Sequence, residues 1–257
     1  MMPRFAANLS MMFNEHAFLD RFRAAAAQGF KAVEFLFPYD YAPGEVAAQL
    51  VSNNLKQALF NLPPGDWAKG ERGIACLPDR IDEFESGVAQ AIDYARELGC
   101  RRINCLAGIA PADADRAELV SVMERNLRFA ARALAGAGIE LMVEPINTRD
   151  MPGFLLNRSA ETLALIERVG APNVKLQYDV YHMQIMEGDL ARTLQRELAR
   201  IGHVQIADNP GRHEPGTGEI NYPFLFDWLD RIGYTGWVSA EYIPAGDTVD
   251  GLGWIPR

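Results

Sequence analysis

Residues 140–147 have the sequence ELMVEPIN, a short apolar run followed at once by the carboxylate of Glu144 and then by a proline. An apolar run of this length is typical of a buried strand, and the acid and the proline indicate that the strand ends there and faces a loop. The residues before it, Glu118–Ala135, place apolar side chains on one face of a helix. The chain therefore passes from a helix into a buried strand whose carboxyl end carries an acidic group.

The same alternation of helical stretch and apolar run recurs along the whole chain. Eight runs rich in β-branched and aromatic residues are predicted as strands: Arg4–Asn8, Ala32–Phe37, Lys56–Asn61, Arg102–Leu106, Glu140–Glu144, Val174–Asp179, His203–Ala207 and Trp237–Glu241. Helical spacing lies between most of them, as in Phe18–Ala26, Asp79–Leu98 and Leu190–Ile201. Asn14 and Asp189 are predicted to cap the first and the last of these helices.

Strands that are apolar throughout are typical of a parallel sheet that helices cover on both faces. Eight of them in 257 residues favour a closed (β/α)8 TIM barrel, an α/β fold. An open doubly wound sheet would show a glycine-rich phosphate loop after its first strand, but residues 8–12 have the sequence NLSMM. Because no linker or low-complexity tract interrupts the pattern, we predict one barrel domain over residues 1–257.

The composition excludes several classes of partner. The net charge is −9, and no run of Lys and Arg compensates it, so a nucleic acid is not expected to bind. The three cysteines form no C-x-x-C pair, which predicts reduced thiols and a cytoplasmic location. The first residues lack the pattern of a signal peptide, and no apolar stretch approaches the ~20 residues of a membrane span. We therefore expect a soluble protein with no membrane partner.

Oxygen-bearing side chains mark the ends of the last four predicted strands: Glu144, Asp179, Gln205 and Glu241. In a βα barrel the carboxyl ends of the strands carry the active site, so these groups should converge. Three carboxylates in a nearly buried mouth would repel one another, and a divalent cation removes that repulsion. An all-oxygen set suits Mg²⁺ or Mn²⁺ better than zinc. The alternative is that each group separately satisfies loop backbone or a salt bridge.

Two further candidates follow these strands. His182 comes three residues after Asp179, and Arg212 lies in a loop rich in turn-forming residues. An arginine beside the site would grip a substrate carboxylate with its bidentate fork, the alternative being a solvated loop charge. For His182 the alternative is a histidine that only satisfies the structure around it.

A long Pro- and Gly-rich segment, residues 61–73, follows the third predicted strand. Irregular loops of this length are usually lids or binding loops. Trp67, Glu71 and Arg72 would then close over a small ligand and exclude water, or else only cover the rim of the barrel. We expect Asn61 and Glu71 to contact the substrate.

Several strings of sequence resemble hydroxypyruvate isomerase, a family of the xylose isomerase-like barrels, which also include ketose 3-epimerases. They are residues 5–11, 33–40, 65–67 with 70–73, 178–182 and 214–220, so the similarity spans nearly the whole chain. The resemblance implies that Glu144, Asp179, Gln205 and Glu241 bind the metal, and that Glu144 and Glu241 are the acid/base pair. By analogy with the epimerases, it implies that His182 and Arg212 contact substrate oxygens.

The implied reaction is a metal-dependent isomerisation, without an organic cofactor, of hydroxypyruvate to 2-hydroxy-3-oxopropanoate (tartronate semialdehyde) through an enediolate. One position departs from the family pattern. Hydroxypyruvate isomerases carry a histidine before the asparagine of the loop after the third strand, whereas this chain has Phe60. A relative that acts on 2-oxo-tetronates, which are four-carbon sugar acids, has phenylalanine there. The substrate alternatives therefore stay open.

Other activities on the same fold have different requirements. A ketose 3-epimerase uses the same metal site but inverts one carbon. A metal-dependent endonuclease needs several zinc ions with many histidine ligands, and the chain has four histidines and no basic track. A non-catalytic binder of small molecules is the remaining alternative. Barrels of this group often associate, so a homo-oligomer is expected.

Overall fold

A computed structural model describes residues 3–255, in which strands and helices alternate. The described strands are β1 Arg4–Asn8, β2 Ala32–Glu34, β3 Lys56–Gln57, β4 Phe60–Asn61, β5 Arg102–Cys105, β6 Glu140–Val143, β7 Val174–Asp179, β8 Ile201–Ile206 and β9 Trp237–Ala240. The described α-helices are α1 Phe18–Ala27, α2 Pro43–Ser52, α3 Ile81–Leu98, α4 Arg116–Ala135, α5 Ser159–Val169, α6 Val180–Met186, α7 Leu190–Glu197 and α8 Tyr222–Arg231. Short 3-10 helices cover Trp67–Lys69, Pro78–Arg80, Leu198–Arg200 and Asp250–Trp254.

The strands form one parallel sheet in the order β3-β2-β1-β9-β8-β7-β6-β5-β4. Its two outermost members, β3 and β4, are the two halves of the third predicted strand. The Ala58 N–H donates to Val33 O on one side, and the Leu62 N–H donates to Asn104 O on the other. Because both edges of the sheet belong to this third barrel strand, the sheet closes on itself and the TIM-barrel prediction is confirmed.

The apolar core lies in and around the barrel wall. In β6, the residues Leu141–Val143 are inaccessible to solvent, because one face of the strand points into the barrel and the other meets the helices. Helix α3 turns Phe84, Val88 and Ala95 towards this wall and its opposite face towards water. Burying one such large side chain stabilises the fold by about 1.5–3 kcal/mol. No helix within residues 3–255 is long and apolar enough to cross a membrane.

Two predicted helix caps are wrong, and one predicted helix end is right. Helix α1 begins after Ala17, and the side chain of Asn14 instead donates to Met11 O in the preceding loop. Asp189 does precede α7, but its backbone is left-handed (φ 47°) and its side chain makes no capping hydrogen bond. Gly99 ends α3 in the left-handed conformation (φ 61°) that glycine adopts without strain. Neither α1 nor α7 therefore begins with a side-chain capping hydrogen bond.

The three cysteines, Cys76, Cys100 and Cys105, are buried free thiols, as the sequence predicts. Burial raises the pKa of Cys76 to about 11 and that of Cys100 to about 12. A thiol with such a pKa is protonated at neutral pH and reacts slowly. The cysteines therefore contribute packing volume to the core.

Candidate active site

A cavity of about 460 Å³ opens where the carboxyl ends of the strands meet. Its walls include Asn61, Trp67, Arg72, Glu144, His182, Arg212 and Glu241. This is the end of the barrel at which βα barrels form their catalytic sites. A cavity of this volume accommodates a small organic molecule. The structure therefore brings most of the predicted site residues to one place.

Four buried side chains form one cluster: Glu144, Asp179, His182 and Glu241. All of them except Asp179 line the cavity. One possible ligand atom from each lies within 4.8 Å of the others. Glu144 and Glu241 directly follow β6 and β9, Asp179 ends β7, and His182 lies in the first turn of α6. Because β6, β7 and β9 belong to four successive strands of the barrel, side chains far apart in sequence become close in space. The cluster is able to hold a metal ion.

Two of these carboxylates have one oxygen fixed and the other free. Glu144 Oε2 accepts hydrogen bonds from Asn104 Nδ2 and Gln177 Nε2, both at 3.0 Å. Asp179 Oδ1 accepts from the backbone N–H of Tyr181 at 2.8 Å, at the start of α6. Glu144 Oε1 and Asp179 Oδ2 are buried, and neither has a hydrogen-bond partner among residues 3–255. Unpaired buried carboxylate oxygens are costly, so this arrangement fits a cation that both oxygens would contact.

The raised pKa values of the acids in the cluster also favour a bound cation. Burial, together with the charges of Glu241 and Asp179, raises the pKa of Glu144 well above its usual value. Burial raises the pKa of Glu241 to about 8, although Arg212 opposes the shift, and burial raises the pKa of Asp179 to about 6. The acids therefore resist being ionised together. A divalent cation would offset this repulsion, and carboxylate oxygens are the ligands that Mg²⁺ and Mn²⁺ prefer.

Asn147, which the sequence predictions did not include, determines which nitrogen of His182 carries the proton. Asn147 Oδ1 accepts from the backbone N–H groups of Arg149 at 2.9 Å and Asp150 at 2.8 Å. Its Nδ2 must therefore face His182 Nδ1, which lies 2.7 Å away. A ring nitrogen that accepts a hydrogen bond is unprotonated, so neutral His182 carries its proton on Nε2.

The protonated Nε2 of His182 points at the acidic cluster. Burial, reinforced by the charge of Arg212, lowers the pKa of His182 well below its usual value, so the ring is neutral. Its Nε2 lies 3.5 Å from Asp179 Oδ2 and 3.8 Å from Glu144 Oε1. These contacts are not ion pairs, because the ring is uncharged. An N–H in this position suits donation to an oxygen of a bound ligand better than coordination of a metal.

Arg212 lies against the same acids. Its Nη2 donates to Glu241 Oε2 at 2.8 Å and lies 3.9 Å from Asp179 Oδ2. Its guanidinium also lies 5.2 Å from the centroid of the Tyr181 ring. The structure thus places Arg212 beside the cluster, as predicted, with its guanidinium hydrogen-bonded to Glu241.

Gln205 lies beside Glu241 but turns its nitrogen towards the carboxylates. Its Nε2 donates to Glu34 Oε1 at 2.8 Å and to Glu241 Oε1 at 3.0 Å, while its Oε1 accepts from Gln177 Nε2 at 2.6 Å. Asn8 Nδ2 bridges the same two acids, at 3.0 Å from each. Only the amide oxygen binds a hard cation, so Gln205 would have to turn its amide over to become a ligand. Its place among the ligands stays a prediction.

A buried contact between Glu34 and His203 inside the barrel supports these amides. Glu34 Oε2 lies 2.8 Å from His203 Nε2, and neither side chain reaches solvent. Burial works against ionisation of Glu34, but the contact with His203 outweighs it and lowers the pKa of Glu34. The ionised Glu34 then holds Asn8 and Gln205, which in turn orient Glu241. The sequence showed His203 only as a polar residue in an apolar strand, and its partner is 169 positions away.

Glu71 does not line the cavity, contrary to the expectation that it contacts the substrate. Its Oε1 accepts from Arg80 Nη1 at 2.7 Å, and its Oε2 accepts from the Asp66 N–H. The carboxylate therefore folds back and fastens its own loop to the start of α3. Trp67 and Arg72, from the same loop, do line the cavity.

The family model for xylose isomerase-like TIM barrels matches residues 22–257. The chain belongs to this family. It is 57% identical over 254 residues to the 2-oxo-tetronate isomerase of Cupriavidus necator, covering 99% of this chain and 98% of the relative. It is 53% identical over 254 residues to the hydroxypyruvate isomerase of Escherichia coli (strain K12), with the same coverage.

These full-length relatives confirm the prediction that this family member is an isomerase. A solved structure named AP endonuclease, family 2, from Brucella melitensis has the same fold. It matches with a TM-score of 0.97 and 51% identity, and the match covers 98% of each chain. Similar proteins with this barrel are thus named after different activities, so the choice between activities depends on the site.

Proposed function

We propose that the protein is a divalent-metal-dependent isomerase of short 2-oxo sugar acids. The substrate would be hydroxypyruvate, converted to tartronate semialdehyde, with a four-carbon 2-oxo-tetronate as the alternative. The observation that carries the proposal is the meeting of Glu144 and Glu241 with Asp179 in one buried cluster at the cavity, where Glu144 Oε1 and Asp179 Oδ2 lack partners among residues 3–255. The names of the two relatives support the same class of reaction.

The proposed ligands of the cation are Glu144, Asp179 and Glu241, joined by Gln205 once its amide has turned. When bound, Mg²⁺ or Mn²⁺ supplies a Lewis acid that polarises the substrate carbonyl and the adjacent hydroxyl. No organic cofactor is required, because one carbon is oxidised while its neighbour is reduced.

Glu144 and Glu241 divide the proton transfer between them. They follow β6 and β9, which are three strands apart in the ring of eight barrel strands, so they approach a ligand from different sides. One carboxylate removes the proton from the carbon that bears the hydroxyl, and the other serves the neighbouring carbon or its oxygen. Neutral His182 donates its Nε2–H to a substrate oxygen. The roles of the two glutamates exchange when the reaction runs in reverse.

The proposal is tested by proton NMR of hydroxypyruvate and of a 2-oxo-tetronate, each with the purified protein and Mg²⁺ in D₂O. Growth of aldehyde or hydrate signals from hydroxypyruvate is the expected result. Turnover of the tetronate alone would keep the mechanism and change the substrate. Inversion of one carbon without an aldehyde would indicate an epimerase. If no solvent deuterium enters either compound with any metal, the isomerase proposal is wrong for these substrates.

The role of Asn147 gives a second test. We expect Asn147→Asp to lower kcat/KM by between about 10-fold and about 100-fold, because the new carboxylate accepts a hydrogen bond and so favours the tautomer of His182 with its proton on Nδ1, which leaves Nε2 without one. Kinetics measure the loss, and NMR of ¹⁵N-labelled histidine reports the tautomer. Asn53→Asp, an equal change of charge at the end of α2, is the matched control. Full activity with a switched tautomer would contradict the donor role of His182.

Phe60 does not line the cavity, so it can influence the choice of substrate only through its neighbours. Its side chain is fully buried, and its ring packs 6.3 Å from Phe35 and 6.4 Å from Tyr39, centroid to centroid. Tyr39 donates its hydroxyl to Asn61 O at 2.7 Å, and Asn61 lines the cavity. A change at position 60 would therefore act on the substrate by moving Asn61. The cavity volume admits three-carbon and four-carbon acids alike, so both substrates stay in the proposal.

Nuclease activity, the activity in the name of the Brucella melitensis structure, has less support from this site. The protein carries a net charge of −9. Three of the four side chains in the buried cluster are carboxylates. A nucleic-acid backbone is a polyanion, so such a cluster would repel it. No observation favours this second function over the isomerase.

A further inference from the structure

Arg72 brings to the cavity a positive charge that no acidic side chain neutralises. Its Nη1 donates to two backbone carbonyl oxygens, that of Trp67 at 3.1 Å and that of Glu71 at 2.8 Å. Within residues 3–255, no carboxylate forms an ion pair with it, and its Nε and Nη2 donate to no described group. The Glu71 carboxylate is not available to it, because Arg80 binds both oxygens.

The other arginine of the cavity is differently placed. Arg212 forms an ion pair with Glu241 at 2.8 Å and lies 3.9 Å from Asp179. In the described part of the chain, Arg72 and Arg212 are the two arginines that line the cavity. An anion that enters it therefore meets a guanidinium already in contact with acidic side chains at Arg212 and one without an acidic partner at Arg72.

The guanidinium of Arg72 is held in a fixed plane. It lies 3.9 Å from the centroid of the Trp67 ring, which itself packs 5.0 Å from the ring of Phe37. Asp66 caps the short 3-10 helix that carries Trp67 by accepting from the Lys69 N–H. A cation stacked on an aromatic face, with one nitrogen fixed, keeps its remaining edge directed for a bidentate contact. The site is thus built before a ligand arrives.

Arg72 and Arg212 stand on opposite walls of the barrel mouth. Arg72 follows the third barrel strand, formed by β3 and β4, whereas Arg212 follows β8, the seventh. In a ring of eight strands these positions are half a turn apart. Two cations on opposite walls suit a substrate with its reacting carbons at one end and an anionic group at the other.

We propose that Arg72, stacked on Trp67, binds the carboxylate of the sugar-acid substrate and selects acids over neutral sugars. The inference rests on the proposed function, because it assumes that the reacting carbons lie at Glu144 and Glu241. A neutral ketose would leave the guanidinium edge desolvated and unpaired, which disfavours it as a substrate. Arg212 then serves the reacting end, beside the acids that it already contacts.

The test measures binding, so that it does not depend on turnover. The protein loaded with Mg²⁺ is titrated calorimetrically with D-glycerate, which has three carbons and a carboxylate but no carbonyl. We expect Arg72→Gln to weaken glycerate binding by between about 10-fold and about 100-fold. Lys69→Gln is the matched control, since it removes a cation of the same loop that points to solvent and pairs with Asp66. It should leave the affinity unchanged.

Three results would overturn the inference: equal affinities for the wild type and Arg72→Gln, equal losses in Arg72→Gln and Lys69→Gln, or no glycerate binding by the wild type. Arg72→Lys covers the case in which Arg72→Gln does not fold, because it keeps the charge without the fork. It should bind glycerate more weakly than the wild type, and wild-type affinity would contradict the bidentate contact. Melting curves check the fold of each variant.

A kinetic comparison separates this inference from the proposed function. Dihydroxyacetone is hydroxypyruvate with a hydroxymethyl group in place of the carboxylate. We expect Arg72→Gln to lower kcat/KM for hydroxypyruvate, or for the tetronate, but not for dihydroxyacetone. If the wild type converts neither acid while Arg72→Gln still weakens glycerate binding, the isomerase proposal fails and the carboxylate site stands. If the acids are converted equally well by Arg72→Gln, the site fails and the isomerase stands.

Discussion

Glu241→Gln should lower kcat by between about 10²-fold and about 10⁴-fold, the range that a positioned acid/base group contributes. The substitution keeps the shape of the side chain and removes its capacity to take a proton. The oxygen of glutamine can still accept from Asn8 and Gln205, which donate to Glu241 Oε1. The new amide nitrogen, however, would face Arg212, so the pairing there is lost. Aldehyde formation at saturating substrate measures the effect, and deuterium entry from D₂O reports proton transfer separately.

Glu144→Gln should cause a loss of similar size, although its surroundings differ. Asn104 and Gln177 donate to Glu144 Oε2, and the oxygen of glutamine can keep both contacts. If the two glutamates act in one proton transfer, the double variant should be scarcely slower than either single variant. Glu118→Gln, an exposed acid in the first turn of α4, should be fully active. Multiplied losses in the double variant would contradict a shared step, and normal kcat in either single variant would contradict its acid/base role.

The barrel was predictable from the sequence because buried parallel strands leave a simple apolar signal. The first and last residues of the strands and helices were less predictable. The second strand was predicted to reach Phe37, but β2 ends at Glu34, and Leu36 already lines the cavity. Apolar residues just past a strand look like its continuation, since a cavity wall also needs apolar side chains. The helix predicted to end at Ile201 also differs: α7 stops at Glu197, a 3-10 helix follows, and Ile201 already begins β8, whose first apolar residue continued the helical spacing.

The site was predictable where strand ends alone place a side chain. Glu144, Asp179 and Glu241 follow from their positions, because the ends of neighbouring parallel strands converge. The positions of Asn147 and Glu71 depend instead on the path of a loop. Asn147 turns its amide to the ring of a residue 35 positions away, and Glu71 is captured by Arg80. Apolar periodicity carries no information about such contacts, because they form between residues that only the folded chain brings together.

Removal of divalent metal should abolish activity, and Asp179→Asn should reproduce much of the effect without harming the fold. Asparagine keeps the oxygen that accepts from the Tyr181 N–H and caps α6, but it replaces Asp179 Oδ2, the free oxygen, with an NH₂ group that cannot bind a cation. Asp115→Asn is the matched control, because Asp115 caps α4 by the same contact, to the Ala117 N–H.

The melting temperature gives a readout independent of catalysis. Metal at about 100 times its Kd should stabilise the wild type and Asp115→Asn by about 2.7 kcal/mol, since it binds the folded state. For a chain of this size that corresponds to a rise of several degrees. Asp179→Asn should show little rise and should need far more Mg²⁺ for any turnover. Turnover that survives exhaustive chelation would contradict the metal requirement. An equal rise in Asp179→Asn would place the cation elsewhere, because Asp179 would then contribute nothing to holding it.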